Sequence, residues 1–137
     1  MAEVKCVISD PKTGKSYQKV LPDNQFAGQH LGATVSGSML DLPGYELKIT
    51  GASDNAGFPH IARFDTAARK KPLLREGEAG AHITRHGMIV RKTVRGKVLS
   101  DQTAQVNLAV VKHGTKSIPE LLGIQEKKEE APAEKKE

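Results

Sequence analysis

The apolar residues of this chain fall into short runs and period-two alternations, separated by turn sequences. Val4 to Ser9 is an extended apolar stretch. Asp10-Pro11-Lys12-Thr13-Gly14 follows as a turn, since Pro presets one dihedral and Gly permits positive φ. Tyr17 to Leu21 then reads as the returning strand of a hairpin. Leu31 to Leu40 carries Gly32, Gly37 and small residues and reads as irregular or a short broken helix. Tyr45 to Thr50 sets Tyr, Leu and Ile against Glu, Lys and Thr, the pattern of a half-buried strand. Gly51 to Pro59 reads as a long turn. Arg69 to Leu74 and Met88 to Val94 are predicted strands, joined through the Gly-rich stretch Gly77 to Gly80. Val94 to Leu99 is a further extended run, and Val106 to Val111 is the most β-prone stretch of all.

Near the C-terminus the signals change. His113-Gly114-Thr115 is a turn, and Ser117-Ile118-Pro119-Glu120 has the form of a helix start, with Ser as N-cap and Glu three residues later. Gly123 limits that helix to little more than a turn. Residues 125–137 hold five Glu and four Lys among thirteen and cannot bury enough apolar surface to order, so they predict a disordered charged tail. The expected organisation is one β-barrel domain over residues 1–124 and a tail over 125–137. The expected fold class is mostly β: a small β-barrel with one or two short helices.

Composition narrows this further. With 137 residues, 4% aromatics and no Trp, the core must be small and built from Val, Leu, Ile and Ala. No apolar run is long enough to cross a membrane, and the N-terminus lacks the pattern of a secretory signal. The lone Cys6 lies in an apolar run and reads as a small buried residue of a reducing compartment.

Charge changes the picture most. Between Arg63 and Lys97 there are ten Lys/Arg and three acids, a balance of +7, while the rest of the chain balances at −2. Apolar runs at Pro72-Leu73-Leu74 and Met88-Ile89-Val90 mark the same segment as folded. A folded patch of that charge repels itself unless an anion faces it, and a nucleic-acid backbone is the densest biological polyanion. The candidate RNA contacts are Arg63, Arg69, Lys70, Lys71, Arg75, Arg85, Arg91, Lys92, Arg95 and Lys97. In an extended Met88–Leu99, side-chain alternation places Arg91, Arg95 and Lys97 on one face and Val90, Val94 and Val98 on the other. Aromatics are scarce nearby, with only Phe58 and Phe64 close, so folded RNA read through shape and backbone suits the segment better than stacked single strands.

Other chemistry is poorly supported. Gly14-Lys15-Ser16 resembles the end of a phosphate-binding loop, but Ser9 stands where that loop needs Gly and a strand follows where it needs a helix. His82 and His86 are four apart but lie between Gly80 and Gly87, with no Cys or acid at ligand spacing, so no metal is assigned. Asp54 has no partner suggested by spacing; inside a Gly-flanked loop it is better read as bonding its own backbone. No catalytic residue and no cofactor are expected.

Two stretches carry a family resemblance. Tyr45-Glu-Leu-Lys-Ile-Thr-Gly-Ala-Ser-Asp-Asn-Ala-Gly-Phe-Pro59 resembles the strand-loop motif of small-subunit ribosomal protein six of the archaeal and eukaryotic type. Val94-Arg95-Gly96, then Val106 to Gly114 and Ile118 to Leu121, look like that family's second block. Gly51, Asp54, Gly57 and Pro59 fall at the expected places and form the structural loop, whereas Ala52 and His60 stand where the family usually has Gly and Met. Eukaryotic members end in a long basic helix with phosphorylatable serines; this chain ends in a short tail without serine and looks like the short archaeal form. The resemblance implies a small barrel embedded in small-subunit ribosomal RNA beside neighbouring ribosomal proteins, in the cytoplasm. It implies no enzymatic activity, no membrane and no small-molecule substrate. The alternative from charge alone is an extraribosomal small barrel acting as an RNA chaperone or regulator.

Overall fold

In the computed structural model, residues 3–123 are described, so the tail expected over 125–137 lies outside them. Eleven elements follow in order: β1 (Val4–Asp10), β2 (Lys15–Leu21), β3 (Thr34–Ser36), a 3₁₀ turn (Gly37–Leu40), β4 (Glu46–Asp54), β5 (Arg69–Lys70), β6 (Leu73–Leu74), β7 (Val90–Arg91), β8 (Val94–Arg95), β9 (Thr103–Lys112) and α1 (Ile118–Leu122). The class is mostly β, as the alternation predicts. The barrel, however, is not closed. Five strands form one open sheet in the order β2-β1-β9-β4-β3, and β5-β8 and β6-β7 form separate two-stranded ladders.

The open edge has a physical reason. β3 is three residues long, too short to reach back to β2, and closure would need both edges to pair along their length. Irregular segments fill the gap instead. Phe26, Leu40, Leu42, Leu99 and Ile118 are all almost fully buried and join the core formed by Val4, Cys6 and Ile8 of β1, Leu47 and Ile49 of β4, and Val106 and Leu108 of β9. Cys6 lies wholly in this core, and burial pushes its thiol up to about 11, so it stays a protonated packing residue.

Two irregularities in β4 and β9 position the site. Ile49 faces Leu108 and Gly51 faces Asn107, so β4 spends two residues on one step of its partner. The buried positions switch there from Leu47 and Ile49 to Ala52 and Asp54. Without that bulge, strict alternation would point Asp54 outward. A second shift sets Asp54 against Thr103, and Thr103 is fully buried. The expected long turn from Gly51 is therefore shorter: β4 continues to Asp54, and the chain reverses over residues 55–58.

The segment from Pro59 to Lys97 forms an arm beside this body. Leu73–Leu74 pairs with Val90–Arg91 and Arg69–Lys70 pairs with Val94–Arg95, all antiparallel. The single strand expected over Arg69–Leu74 is broken at Pro72, which has no N–H to give a ladder. Pro72 still accepts, its carbonyl taking a bond from the amide of Lys92 at 3.4 Å. A small second core of Ile61, Leu74 and Val94 holds the arm. Leu31–Leu40, expected to be irregular or a short broken helix, holds the short strand β3 followed by the 3₁₀ turn. Ser117 is the N-cap of α1 but makes no side-chain cap bond, so the expected capping box is absent; Gly123 ends the helix in the left-handed region, φ 65°.

Candidate nucleic-acid interface

Ten cations crowd residues 63–97, and the fold separates them into two kinds. The first kind converges on Asp54. The Asp54 carboxylate is buried, and its Oδ1 accepts from the backbone amides of Ala56 (3.0 Å) and Phe58 (2.9 Å). That is the self-bonded loop its Gly-flanked setting predicts. Its Oδ2 accepts from Arg69 Nε at 2.8 Å and Arg95 Nε at 3.2 Å. Burial pushes this carboxyl up, but the Phe58 amide and the two guanidinium groups outweigh it and hold it below the usual carboxylate range.

Arg95 is the unexpected member. It is only 5% exposed, and its remaining donors go to the Ala67 carbonyl (3.1 Å), Ser100 Oγ (2.8 Å) and Gln102 Oε1. Arg91, Arg95 and Lys97 therefore do not share an open face, because β7 and β8 are separate two-residue strands and Arg95 turns inward with Val94. Next to it lies His60, also buried. Its Nδ1 is 2.7 Å from the Gly96 carbonyl, which can only accept, so Nδ1 carries the proton and Nε2 accepts from the Thr103 hydroxyl at 3.3 Å. Burial holds His60 below its ordinary 6.5, keeping it neutral. Gly96 is required here: a Cβ would sit 2.0 Å from the Thr66 carbonyl oxygen.

The second kind stays at the surface. Arg63, Lys70, Lys71, Arg75, Arg85, Arg91 and Lys92 are exposed, as is Arg69 despite its bond to Asp54. Arg63 pairs with Glu78 at 2.6 Å, and the half-buried Lys97 lies 3.5 Å from Asp65. Among the described residues, Lys70, Lys71, Arg75, Arg85, Arg91 and Lys92 make no ion pair. The two nearby aromatics are already covered by cations: Arg69 lies over Phe58 at 5.2 Å, and both Arg63 (4.9 Å) and Lys70 (5.0 Å) lie over Phe64. Both rings thus hold cations in place.

Of the predicted loop residues, Gly57 takes a positive φ of 89° in the turn, Pro59 accepts from the Arg95 amide at 2.9 Å, and Gly51 stands in the β4 bulge. Ser100 and Gln102, five and seven residues after Arg95, and Thr103, 43 residues after His60, stand in ordinary polar context, and no sequence signal marks them as partners of the arm. His82 and His86 are both exposed, and among the described residues no cluster of three or more His, Cys, Asp or Glu could hold a metal ion.

The sequence that builds this arrangement has relatives among known proteins. The family model described as ribosomal protein S6e matches residues 4–123. A protein named small ribosomal subunit protein eS6 from Archaeoglobus fulgidus is 44% identical over 123 residues, covering 87% of this chain and 95% of its own. Its namesakes from Methanocella arvoryzae and Methanocaldococcus jannaschii are 41% and 40% identical, covering 98% and 91% of this chain and 100% and 95% of their own. The match spans β1 through α1 without a break, taking in both the bulged strand that aims Asp54 and the cationic arm anchored on it, and this chain belongs to the ribosomal protein S6e family.

Proposed function

We propose that this protein is a structural constituent of the small ribosomal subunit, holding folded ribosomal RNA against the outer surface of its arm. The observation that carries the reading is the set of exposed cations without acidic partners, Lys70, Lys71, Arg75, Arg85, Arg91 and Lys92, on one buttressed arm of a chain whose relatives are named as small-subunit proteins. Arg69 is a seventh, shared contact, since its guanidinium is bound to Asp54 through Nε and stays partly open. Arg63 and Lys97 have acids to compete with, and Arg95 holds the arm for the others. Neighbouring ribosomal proteins would meet the remaining surface, and the place of action is the cytoplasmic ribosome. Phosphate contacts of this kind fix position and supply salt-dependent affinity rather than sequence choice.

The test is co-sedimentation of the tagged full chain with small subunits before and after a salt wash. The wild type should comigrate with the subunit. Lys70→Gln, Lys71→Gln and Lys92→Gln combined should weaken that association with the fold intact, because all three side chains are exposed. Protein confined to light fractions would overturn the reading. Arg95 must be left out of such a charge-reversal set: a Glu there would bury a second carboxylate beside Asp54 and unfold the arm.

A further inference from the structure

The outer face of the β6-β7 ladder mixes cations with bare aliphatic side chains. Leu74 and Val90 point inward, Leu74 being fully buried. The opposite face carries Leu73 and its partner Arg91, and the register continued by one residue adds Arg75 and Ile89. Leu73 and Ile89 are 52% and 51% exposed, two of the five large apolar residues most open to solvent among those described. Arg75 and Ile89 also line one shallow hollow of about 270 Å³ with Glu76, His86, Gly87 and Met88. Cross-strand diagonal neighbours lie about 7–8 Å apart, so Arg91 and Arg75 flank the two aliphatic groups.

A face whose only job was to attract phosphate would have no use for two exposed aliphatics, which are disfavoured in water. A face for an apolar protein surface would not ring them with arginines lacking acidic partners. An unstacked nucleotide within folded RNA satisfies both: its base or ribose is an apolar plate, and its two flanking phosphates are anions. The hollow beside Arg75 and Ile89 borders this face without including Leu73 or Arg91, so the four side chains themselves, two aliphatic and two cationic, define the seat. Building on the proposed function, we infer that the outer face of the β6-β7 ladder receives one splayed-out nucleotide of the ribosomal RNA. The base or ribose lies on Leu73 and Ile89, and Arg75 and Arg91 hold the phosphates on either side.

The test measures binding of the full chain to small-subunit ribosomal RNA transcribed in vitro, at several salt concentrations, and incorporation into assembled subunits. Leu73→Ser with Ile89→Ser alters exposed positions and should leave the fold intact. It should weaken RNA binding about tenfold or more without changing the salt slope, as expected for loss of one base contact. Arg75→Gln with Arg91→Gln should instead lower the log–log salt slope by about 1.4–1.8, two phosphates' worth. If wild type binds the RNA and the Leu73/Ile89 variant binds equally well, the inference is overturned while the ribosomal reading stands. If that variant binds free RNA normally but is lost from assembled subunits, the face belongs to a protein neighbour and the inference is likewise overturned. Failure of wild type to bind the RNA or the subunits overturns the proposed function itself.

Discussion

The body of the protein buries eighteen apolar side chains in one cluster, whereas the arm buries three and hangs on a polar hub. In the body, Val, Leu and Ile from β1, β4 and β9 fill the interior, and the buried charge is Asp10 at the end of β1, bonded to His113. In the arm, Ile61, Leu74 and Val94 are too few to fix an entire basic segment. The arm is instead tied to the body by Asp54, Arg95, His60 and Thr103, every one of them buried. Apolar burial is non-directional, while a charge-assisted hydrogen bond sets angle as well as distance. The body is therefore held by bulk and the arm by direction: its cations project from a segment whose orientation the hub fixes.

Removing the hub acid should break the contrast most sharply. Asp54→Ala leaves Arg95 buried with its charge uncompensated, and a loss of about 3–5 kcal/mol is expected in denaturant unfolding. Hydrogen exchange should show the arm amides opening before those of β1 and β9. Equal loosening of both regions would mean that the hub does not separate them. Next come matched core truncations. Leu108→Ala, in the middle of the main cluster, should cost about 4 kcal/mol and lower global stability. Leu74→Ala should fall near 2 kcal/mol, since the small cluster can collapse on the void, with its effect confined to the arm.

Acid should loosen the arm ahead of the body. His60 is held neutral in the folded state, so stability is unaffected above its ordinary 6.5 and declines as pH falls below that, where the unfolded chain takes up the proton more readily. Asp54, held low, contributes in full above its ordinary 3.8 and loses that contribution as pH falls through the folded value. Asp10 in the body behaves like Asp54, held down chiefly by its bond from His113 at 2.9 Å. Arm amides should therefore lose protection between about pH 6.5 and 4 while the body keeps its own, and His60→Gln should flatten that decline. The smallest effect belongs to the surface. Glu46→Gln removes an exposed pair with Lys112 at 3.4 Å and should change stability by less than about 0.5 kcal/mol in the same unfolding measurement.

The regularity of the body was legible because its strands obey alternation: Val4-Cys6-Ile8 and Leu47-Ile49 are buried as the pattern predicts. The basic segment was legible as a segment, since charge density needs no geometry. Its internal arrangement was not. Alternation is a rule for continuous strands, and Pro72 breaks one side of the arm while the other pairs only two residues at a time. Arg95 consequently turned inward where the period pointed out. Leu73 and Ile89, from the two apolar runs that mark the segment as folded, stand in solvent, while Leu74 beside Leu73 is buried. The bulge near Gly51 was equally hidden, because one extra residue against a partner becomes visible only once the partner is known.

The pairing of β1 with β9 has a consequence in time. Lys5 lies beside Gln105 in a parallel register, so the first strand made waits for nearly the last before the central sheet can exist. Contacts so distant along the chain slow folding, and the body cannot consolidate until β9 has been synthesised. The arm is made wholly within that interval, and until β9 arrives with Thr103 its hub lacks a wall. A nascent chain thus presents the arm's cations before the hub that orients them is complete.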